Sequence, residues 1–310
     1  SLATPGAKSD GTGYGPKKSA ADRGAEPDRT FLVICESVAA GDCTIRSGCQ
    51  ALDVSESGYH DWLCRQEQEP SVREQEDEQL TRRIVAIHAE SGKAYGSPRI
   101  HAALKAQGTK CSKHRVARLM RESGIRSLRA RKVRRVKTTD SKHDLPVARN
   151  LLDRDFTATA PDKKWVADTT YIPTEKGWLF LAVILDLYSR KVVGWAVAPN
   201  FNRELVCRAL HNALEVRKRP ELLHSDRGVQ YASDDYQSLL TTTSIHCSMS
   251  RRGNCYDNAV VESFFASLKS EIGLPRDGFA NPQQARRTLF AYIEDFYNRR
   301  RLHSALGYQK

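Results

Sequence analysis

Three acidic residues occupy places where a carboxylate needs a reason. Asp168 lies inside the apolar, β-branched run KWVADTTYI, Asp226 follows a second apolar run in LLHSDRGVQY, and Glu262 sits in the helix-like segment NCYDNAVVESFFASLKSE. A charge buried among apolar neighbours is costly unless it has a partner. Asn258, Glu262 and Lys269 fall at i, i+4 and i+11 and so share one helix face, with Phe265 and Leu268 anchoring the adjoining face. Convergent carboxylates suit a hard divalent cation such as Mg²⁺, which takes few protein ligands and completes its shell with waters and phosphates. Two such ions about 3.5–4 Å apart activate an attacking oxygen and stabilise a leaving one in phosphoryl transfer. In that arrangement Asp168 bridges both ions, and Asp226 and Glu262 each complete one. Lys269, roughly two turns beyond Glu262, then holds a phosphate. A single such acid reads as a surface carboxylate. The set, in this strand order and beside a basic surface, reads as a phosphoryl-transfer centre.

The elements that must position these residues follow from periodicity. Trp165–Pro173, Trp178–Asp186 and Lys191–Pro199 are β-rich runs separated by the turns TEKG and LYSR, which predicts an antiparallel meander. A helix over Asn202–Lys218, a short strand ending at LLHSD, a helix over Asp234–Thr242 and a strand over Ser244–Met249 follow. Helices over Asp257–Ile272 and Asn281–Tyr297 complete the pattern. The fold class is α/β, a mixed sheet flanked by helices. All-α modules precede it. Residues 31–66 carry Ile45, Cys49 and Leu52, then a Ser-capped helix with Tyr59 and Trp62, a pattern that fits a helix-turn-helix and a plain helical bundle equally. Glu67–Gln75, with Pro70, reads as a linker. Residues 76–125 form a second module: Leu80, Ile84 and Ile87 share a face, a helix follows YGSP, and another runs from a Ser112 cap to a Gly124 stop. Residues 1–30 have no apolar periodicity and read as a disordered tail or an expression remnant.

Charge points to the partner. The 310 residues carry 49 Lys+Arg against 37 Asp+Glu, a formal net charge of +12. Nucleic acid is the expected polyanion, ahead of an acidic membrane surface. Arg126–Lys137 contains seven basic residues and no acid, and within it Arg131, Lys132, Arg134 and Arg135 are candidate phosphate contacts. The longest apolar stretch, Trp178–Leu185, is far short of the roughly 20 residues that span a bilayer. No charged-then-apolar leader is seen. The eight Cys form no C-x-x-C pair, which fits free thiols in a reducing cytoplasm and offers no zinc site. Asp186 and Arg190 read as a turn-stabilising pair. His224, two residues before Asp226, reads as structural more readily than as a neighbour of a metal.

Five strings in order carry a family resemblance: YGSPRI at Tyr95–Ile100, WVADTTYI at Trp165–Ile172, HSDRGVQYAS at His224–Ser233, SMSRRGNCYDNAVVESFFASLKSE at Ser248–Glu271, and YNRRRLHSALGY at Tyr297–Tyr308. Over roughly residues 31–309 the chain resembles the second-frame catalytic protein of insertion sequences of the insertion-sequence-three family, within the DDE transposase and retroviral integrase superfamily. The resemblance implies a ribonuclease-H-like five-stranded core over residues 157–275, preceded by a basic linker over 126–156 and followed by a helical extension over 276–310. It maps the catalytic, metal-binding acids onto Asp168, Asp226 and Glu262, and the family's basic residue onto Lys269.

The chemistry so implied uses two Mg²⁺ ions, with Mn²⁺ as a substitute. Water cleaves at the element's 3′ end, and the freed hydroxyl joins another DNA strand without a covalent enzyme intermediate. Family members are thought to join one end to the other first, as a circle. Gln230, Asn254, Tyr256 and Asn258 are matched residues that either orient DNA or cap loops and helices. Arg251, Arg252, Arg299, Arg300 and Arg301 are candidate phosphate clamps, with a solvated surface as the alternative. Implied partners are double-stranded DNA, further copies of the chain and an upstream-frame protein. The implied place of action is the bacterial cytoplasm, at the nucleoid. The retroviral zinc module and a leucine-zipper heptad are absent from the sequence. A catalytically silent DNA-binding relative and a hydrolytic nuclease of the same fold are the competing readings.

Overall fold

Phe31, Ile34, Cys35 and Val38 repeat at helical intervals and line one face of α1 (Asp22–Ala39). The computed structural model describes residues 22–67, 69–128, 143–275 and 277–310. The chain divides into two compact units, residues 1–76 and 77–310. In the first, α1 packs with α2 (Ile45–Ala51) and α3 (Glu56–Glu67) around Phe31, Ile34, Cys49, Tyr59 and Trp62. Thr44 and Ser47 form a reciprocal capping box at the start of α2. This corrects two expectations. Residues 22–30 are helical rather than tail, and the module has three helices rather than two; residues 1–21 lie outside the described residues.

The helix α4 (Val72–Glu90) starts earlier than its apolar face suggested, so the linker before it is short. It packs with α5 (Ser97–Ala106) and α6 (Lys113–Glu122) through Leu80, Ile84, Ile87, Ile100, Leu104, Val116 and Leu119. Asp77 holds Arg115 and Arg118, each at 2.6 Å, which ties the first turns of α4 to α6. Ser112 caps α6 as its sequence suggested, and Gly124 takes the left-handed φ of +66° that ends it.

The sheet contains β1 (Lys164–Thr174), β2 (Gly177–Asp186), β3 (Val192–Ala198), β4 (Leu222–Ser225) and β5 (His246–Met249) in the order β3-β2-β1-β4-β5. The first three strands form the antiparallel meander, while β4 and β5 join parallel to β1. Alternation assigns the faces. Val166 and Ile172 of β1, with Leu179, Leu181 and Val183 of β2, meet α9 (Ala259–Glu271) and α10 (Pro282–Phe290) through Val261, Phe264, Leu268 and Leu289. Trp165, Ala167, Ala182 and Ile184 meet α7 (Arg203–Val216) and α8 (Asp234–Thr242) on the other side. A Cβ at Gly194 of β3 would stand 2.4 Å from the Ala209 carbonyl oxygen, so α7 approaches the sheet at backbone distance there. The expected last helix changes to π geometry over Ala291–Tyr297, seating Tyr292, Ile293 and Tyr297 in the core. Among the described residues no helix is long and apolar enough to cross a membrane.

Candidate active site

Asp168 occupies an even position of β1, so its side chain leaves the sheet on the α9 face, in line with Val166 and Ile172. The β1–β4 pairing runs Val166↔His224. Asp168 and Asp226 each lie two residues beyond that paired position, at the same end of the two parallel strands. Asp226 lies just beyond the end of β4, in a turn where the Gly228 N–H donates to its Oδ1 at 2.9 Å. A Cβ at Gly228 would stand 3.1 Å from that oxygen. Glu262 lies in the first turn of α9, where the helix dipole favours a carboxylate.

Electrostatics records this convergence. The Asp168 carboxyl is raised well above the ordinary carboxylate range, first by burial and then by the charge of Asp226. The Thr169 N–H, donating to Asp168 Oδ1 at 2.7 Å, opposes the rise; Glu262 adds to it and Lys269 lowers it. The Tyr231 hydroxyl, which shares a hydrogen bond with Thr169, is raised well above 10.0 by burial and by Asp168. Lys269 is half-buried with its ammonium 4.2 Å from the centre of the Tyr171 ring. Burial brings its pKa down to about 8 against the pull of Asp168.

The donor set fits a hydrated divalent cation. All three groups offer oxygen, and like charges held together are relieved by a cation between them. Among the described residues no group of three or more His, Cys, Asp or Glu side chains is gathered closely enough to hold a metal ion as they stand.

The other sequence-marked residues scatter. Asn258 is buried, donates from Nδ2 to the Ala167 carbonyl at 3.1 Å, and ties the start of α9 to β1. Gln230 reaches the Phe201 carbonyl with Nε2 at 3.5 Å, while its Oε1 is buried without a hydrogen bond. Asn254 caps the 3₁₀ turn before α9 by accepting from Tyr256 N–H. Tyr256 is exposed, with the Arg154 guanidinium 5.7 Å from its ring centre. Arg252 and Arg299 are exposed, and Arg300 is exposed and paired with Asp295. Arg131, Lys132, Arg134 and Arg135 lie outside the described residues.

Of the clamp candidates, Arg251 is engaged within the chain and Arg301 is corrected. Arg251 donates from Nε and Nη2 to Asp257 at 2.9 and 2.8 Å, so its guanidinium braces a buried carboxylate. Arg301 is buried and grips Glu271 with two hydrogen bonds, out of reach of a phosphate. Asp186 and Arg190 do close the turn, through the Arg190 N–H donating to the Asp186 carbonyl at 2.9 Å. Asp186 holds the turn through Ser189, while the Arg190 guanidinium serves the Phe156 carbonyl. His224 is structural, held between the Ser248 and Ser250 hydroxyls, and burial brings it down to about 4.

Sequence reasoning passed over Asp257, whose fully buried carboxylate also accepts from Asn150 and Arg154. Its only local signal was an acid three residues ahead of the apolar stripe of α9, which reads equally as a helix-start residue.

Comparison with known proteins places these features in a lineage. Two models of the integrase core domain match residues 158–255 and 243–310, and an HTH-like domain model matches residues 74–133. An uncharacterised 31 kDa protein of insertion element IS600 from Shigella sonnei is 44% identical over 261 residues, covering 84% of this chain and 94% of its own. The transposase InsF of insertion sequence IS3A from Escherichia coli K12 is 42% identical over 266 residues, covering 85% of this chain and 91% of its own. Among solved structures, the HTLV-2 integrase catalytic core domain in complex with magnesium aligns at 18% identity and a TM-score of 0.35, over 45% of this chain and 91% of that chain.

Proposed function

The chain belongs to the insertion-sequence-three (IS3) family of DNA transposases, within the DDE superfamily, and we propose that it cuts the 3′ ends of its element and joins them to another strand by direct transesterification. The observation that supports this reading best is the Asp168 carboxyl on β1, raised by burial and by the charges of Asp226 from the post-strand turn and Glu262 from α9. Asp168, Asp226 and Glu262 would hold Mg²⁺, or Mn²⁺ in its place, which when bound would supply charge neutralisation at the reacting phosphate and activation of the attacking oxygen.

The chain's own residues do the rest. In this reading the β1–β4 pairing carries Asp168 and Asp226, and Asn258, bonded to the Ala167 carbonyl, keeps the start of α9 and so Glu262 near β1. Lys269 places a positive charge beside Asp168, where a non-bridging phosphate oxygen comes to lie. In the cutting step a water oxygen bonds to phosphorus and the bond from phosphorus to the 3′ oxygen breaks, leaving a 3′ hydroxyl. In the joining step that hydroxyl attacks a second phosphodiester and displaces that strand's 3′ oxygen. Bond count is conserved, so no nucleotide cofactor is needed. Positioning and electrostatics carry such reactions.

Double-stranded DNA is the substrate in this reading. Described residues at the two ends of the basic linker meet the core: the Ser270 hydroxyl near the end of α9 donates to the Leu128 carbonyl, and His143 bonds the Arg227 carbonyl next to Asp226. The exposed Arg252, Arg299 and Arg300 are further candidate phosphate contacts. Action on two ends at once calls for at least a dimer, with the upstream-frame protein as a further partner, at the nucleoid in the bacterial cytoplasm.

The test is a gel assay with supercoiled plasmid and a labelled duplex bearing a free 3′ hydroxyl, run with Mg²⁺, Mn²⁺ or EDTA beside Glu262→Gln. Metal-dependent joining that disappears in the variant is the expected result. Nicking without joining would favour a nuclease, and DNA binding without any product a silent relative.

A further inference from the structure

Tyr95 and Arg99 of YGSPRI and Arg301 and Leu302 of YNRRRLHSALGY play no part in the chemistry above, yet the fold brings them together at the C-terminal end of α9. The Tyr95 hydroxyl accepts from the Leu302 N–H at 2.8 Å and donates to the Arg300 carbonyl at 3.3 Å. Arg99 donates from Nε to the Leu302 carbonyl at 3.0 Å, and its Nη1 stands 4.0 Å from Glu271 Oε1. Glu271, the last residue of α9, is the hub. Arg301 donates to its Oε2 at 2.7 Å and to its Oε1 at 2.6 Å, and the Tyr292 hydroxyl donates to Oε2 at 2.8 Å. The Glu271 and Arg301 side chains are only 6% and 5% exposed. One carboxylate thus gathers α5, the π segment and the C-terminal tail onto the helix that carries Glu262.

Stability alone is a poor reason for this arrangement. A buried ion pair gains little over well-packed apolar residues of the same volume, and the adjoining core already supplies such residues in Leu268, Leu289 and Ile293. What a two-pronged Arg–carboxylate contact adds is direction: both hydrogen bonds hold only at one distance and one orientation. Glu271 lies two residues past Lys269 and nine past Glu262, about 14 Å along a stiff helix. A slide or rotation of α9 therefore carries both residues away from Asp168, which belongs to the sheet.

We propose that Glu271 is a positioning residue for phosphoryl transfer: clamped by Arg301 and Tyr292 and faced by Arg99, it sets the axial register of α9, and hence the placement of Glu262 and Lys269 against Asp168. The inference rests on the transposase reading above. It also gives the two motifs one shared task, since Tyr95 and Arg99 brace the tail segment from which Arg301 reaches Glu271.

The test compares Glu271→Gln, Arg301→Lys and Leu289→Ala with the wild-type chain. Leu289→Ala removes apolar packing beside α9 without touching the clamp and serves as the destabilised comparator. Melting temperature, affinity for a labelled duplex, single-turnover joining at saturating DNA and hydrogen exchange of the α9 amides are measured below every melting transition. Glu271→Gln is expected to slow joining roughly 10- to 100-fold, the scale of an ångström's misplacement, with DNA affinity within about twofold of wild type. Its α9 amides are expected to exchange faster. Arg301→Lys, which keeps the charge and loses the fork, is expected to fall between, and Leu289→Ala to join at nearly the wild-type rate. Joining by Glu271→Gln at the wild-type rate, or slowed no more than in Leu289→Ala, overturns the proposal; if that variant does not fold, wild-type joining by Arg301→Lys does the same. Glu262-dependent joining by the wild-type chain leaves the transposase reading standing whatever Glu271 does. A wild-type chain that joins nothing, with Glu262→Gln indistinguishable from it, removes both.

Discussion

Replacing Asp257 tests whether Arg251 braces the fold or grips DNA. The Asp257 carboxylate is fully buried and accepts hydrogen bonds from Asn150, Arg154, the Arg251 backbone N–H and the Arg251 guanidinium, all between 2.8 and 3.0 Å. Breaking a buried ion pair by removing one partner costs about 3–5 kcal/mol. Arg251 and Arg154 are about half exposed, at 49% and 47%, so their stranded charges regain water and the lower end applies, about 3 kcal/mol for Asp257→Ala. At roughly 2–4 °C per kcal/mol for a unit of this size, the melting temperature falls by about 6–12 °C.

The pH dependence has a definite sign. Arg251 and its hydrogen bonds hold the Asp257 carboxyl well below its ordinary value of 3.8. Its stabilisation is therefore fully present above that value and drains away as pH falls toward the lower folded value. The gap between wild type and Asp257→Asn is expected to be flat from pH 8 to 5 and to narrow below about pH 4. The assay is thermal melting monitored by circular dichroism, beside duplex affinity for Arg251→Ala. A melting shift under about 2 °C for Asp257→Ala, with Arg251→Ala losing DNA affinity at unchanged stability, would refute this account and return Arg251 to the phosphate clamps.

Gly194→Ala would push a methyl group to 2.4 Å from the Ala209 carbonyl and 2.5 Å from the Ala213 Cβ, so α7 must back away from β3. Thermal melting is expected to show a loss of at least about 1–3 kcal/mol, and an unchanged melt would mean the helix moves freely there. Burial holds His224 and His303 at about 4. Unfolded imidazoles take protons near 6.5 while the folded ones do not, so this part of the stability is whole above pH 6.5 and falls toward pH 4. Melts of His224→Gln between pH 7.5 and 5 should show a shallower slope than wild type; an identical slope counts against the assignment. Alanine at Arg131, Lys132, Arg134 and Arg135 together is expected to flatten the salt dependence of duplex binding by about 0.9 in log–log slope for each phosphate that these side chains no longer neutralise. An unchanged slope would leave that run as solvated surface.

Much of the element list was legible because its causes are local. Strand alternation around Asp168, the helical stripes of α4 and α9 and the Ser112 and Asn202 caps depend on neighbours within a few residues. The misses also have local reasons. The start of α1 at Asp22 lies in a stretch without an apolar stripe, and the π segment at Ala291–Tyr297 preserves the apolar spacing of an α-helix closely enough to read as one.

Sequence by itself singled out Asp168, because a carboxylate among β-branched and apolar residues is anomalous wherever the strand ends up, and it added Asp226 and Glu262 as members of a set carried by the family motifs. It also fixed the kind of chemistry open to them, since their oxygens suit hard cations whatever the fold. Which acids face one another was decided by tertiary structure. The parallel entry of β4 beside β1, with Val166 opposite His224, and the packing of α9 on the face that holds Val166 and Ile172 decide how these acids stand to one another. The fates of the arginines were decided in the same way. Arg301 and the exposed Arg299 and Arg300 sit in one basic triplet, and no local pattern separates them. Arg301 is buried because Glu271, 30 positions away in sequence, waits for it at the end of α9. A charge's environment is set by what folds against it, and that partner lies outside any window of neighbouring residues.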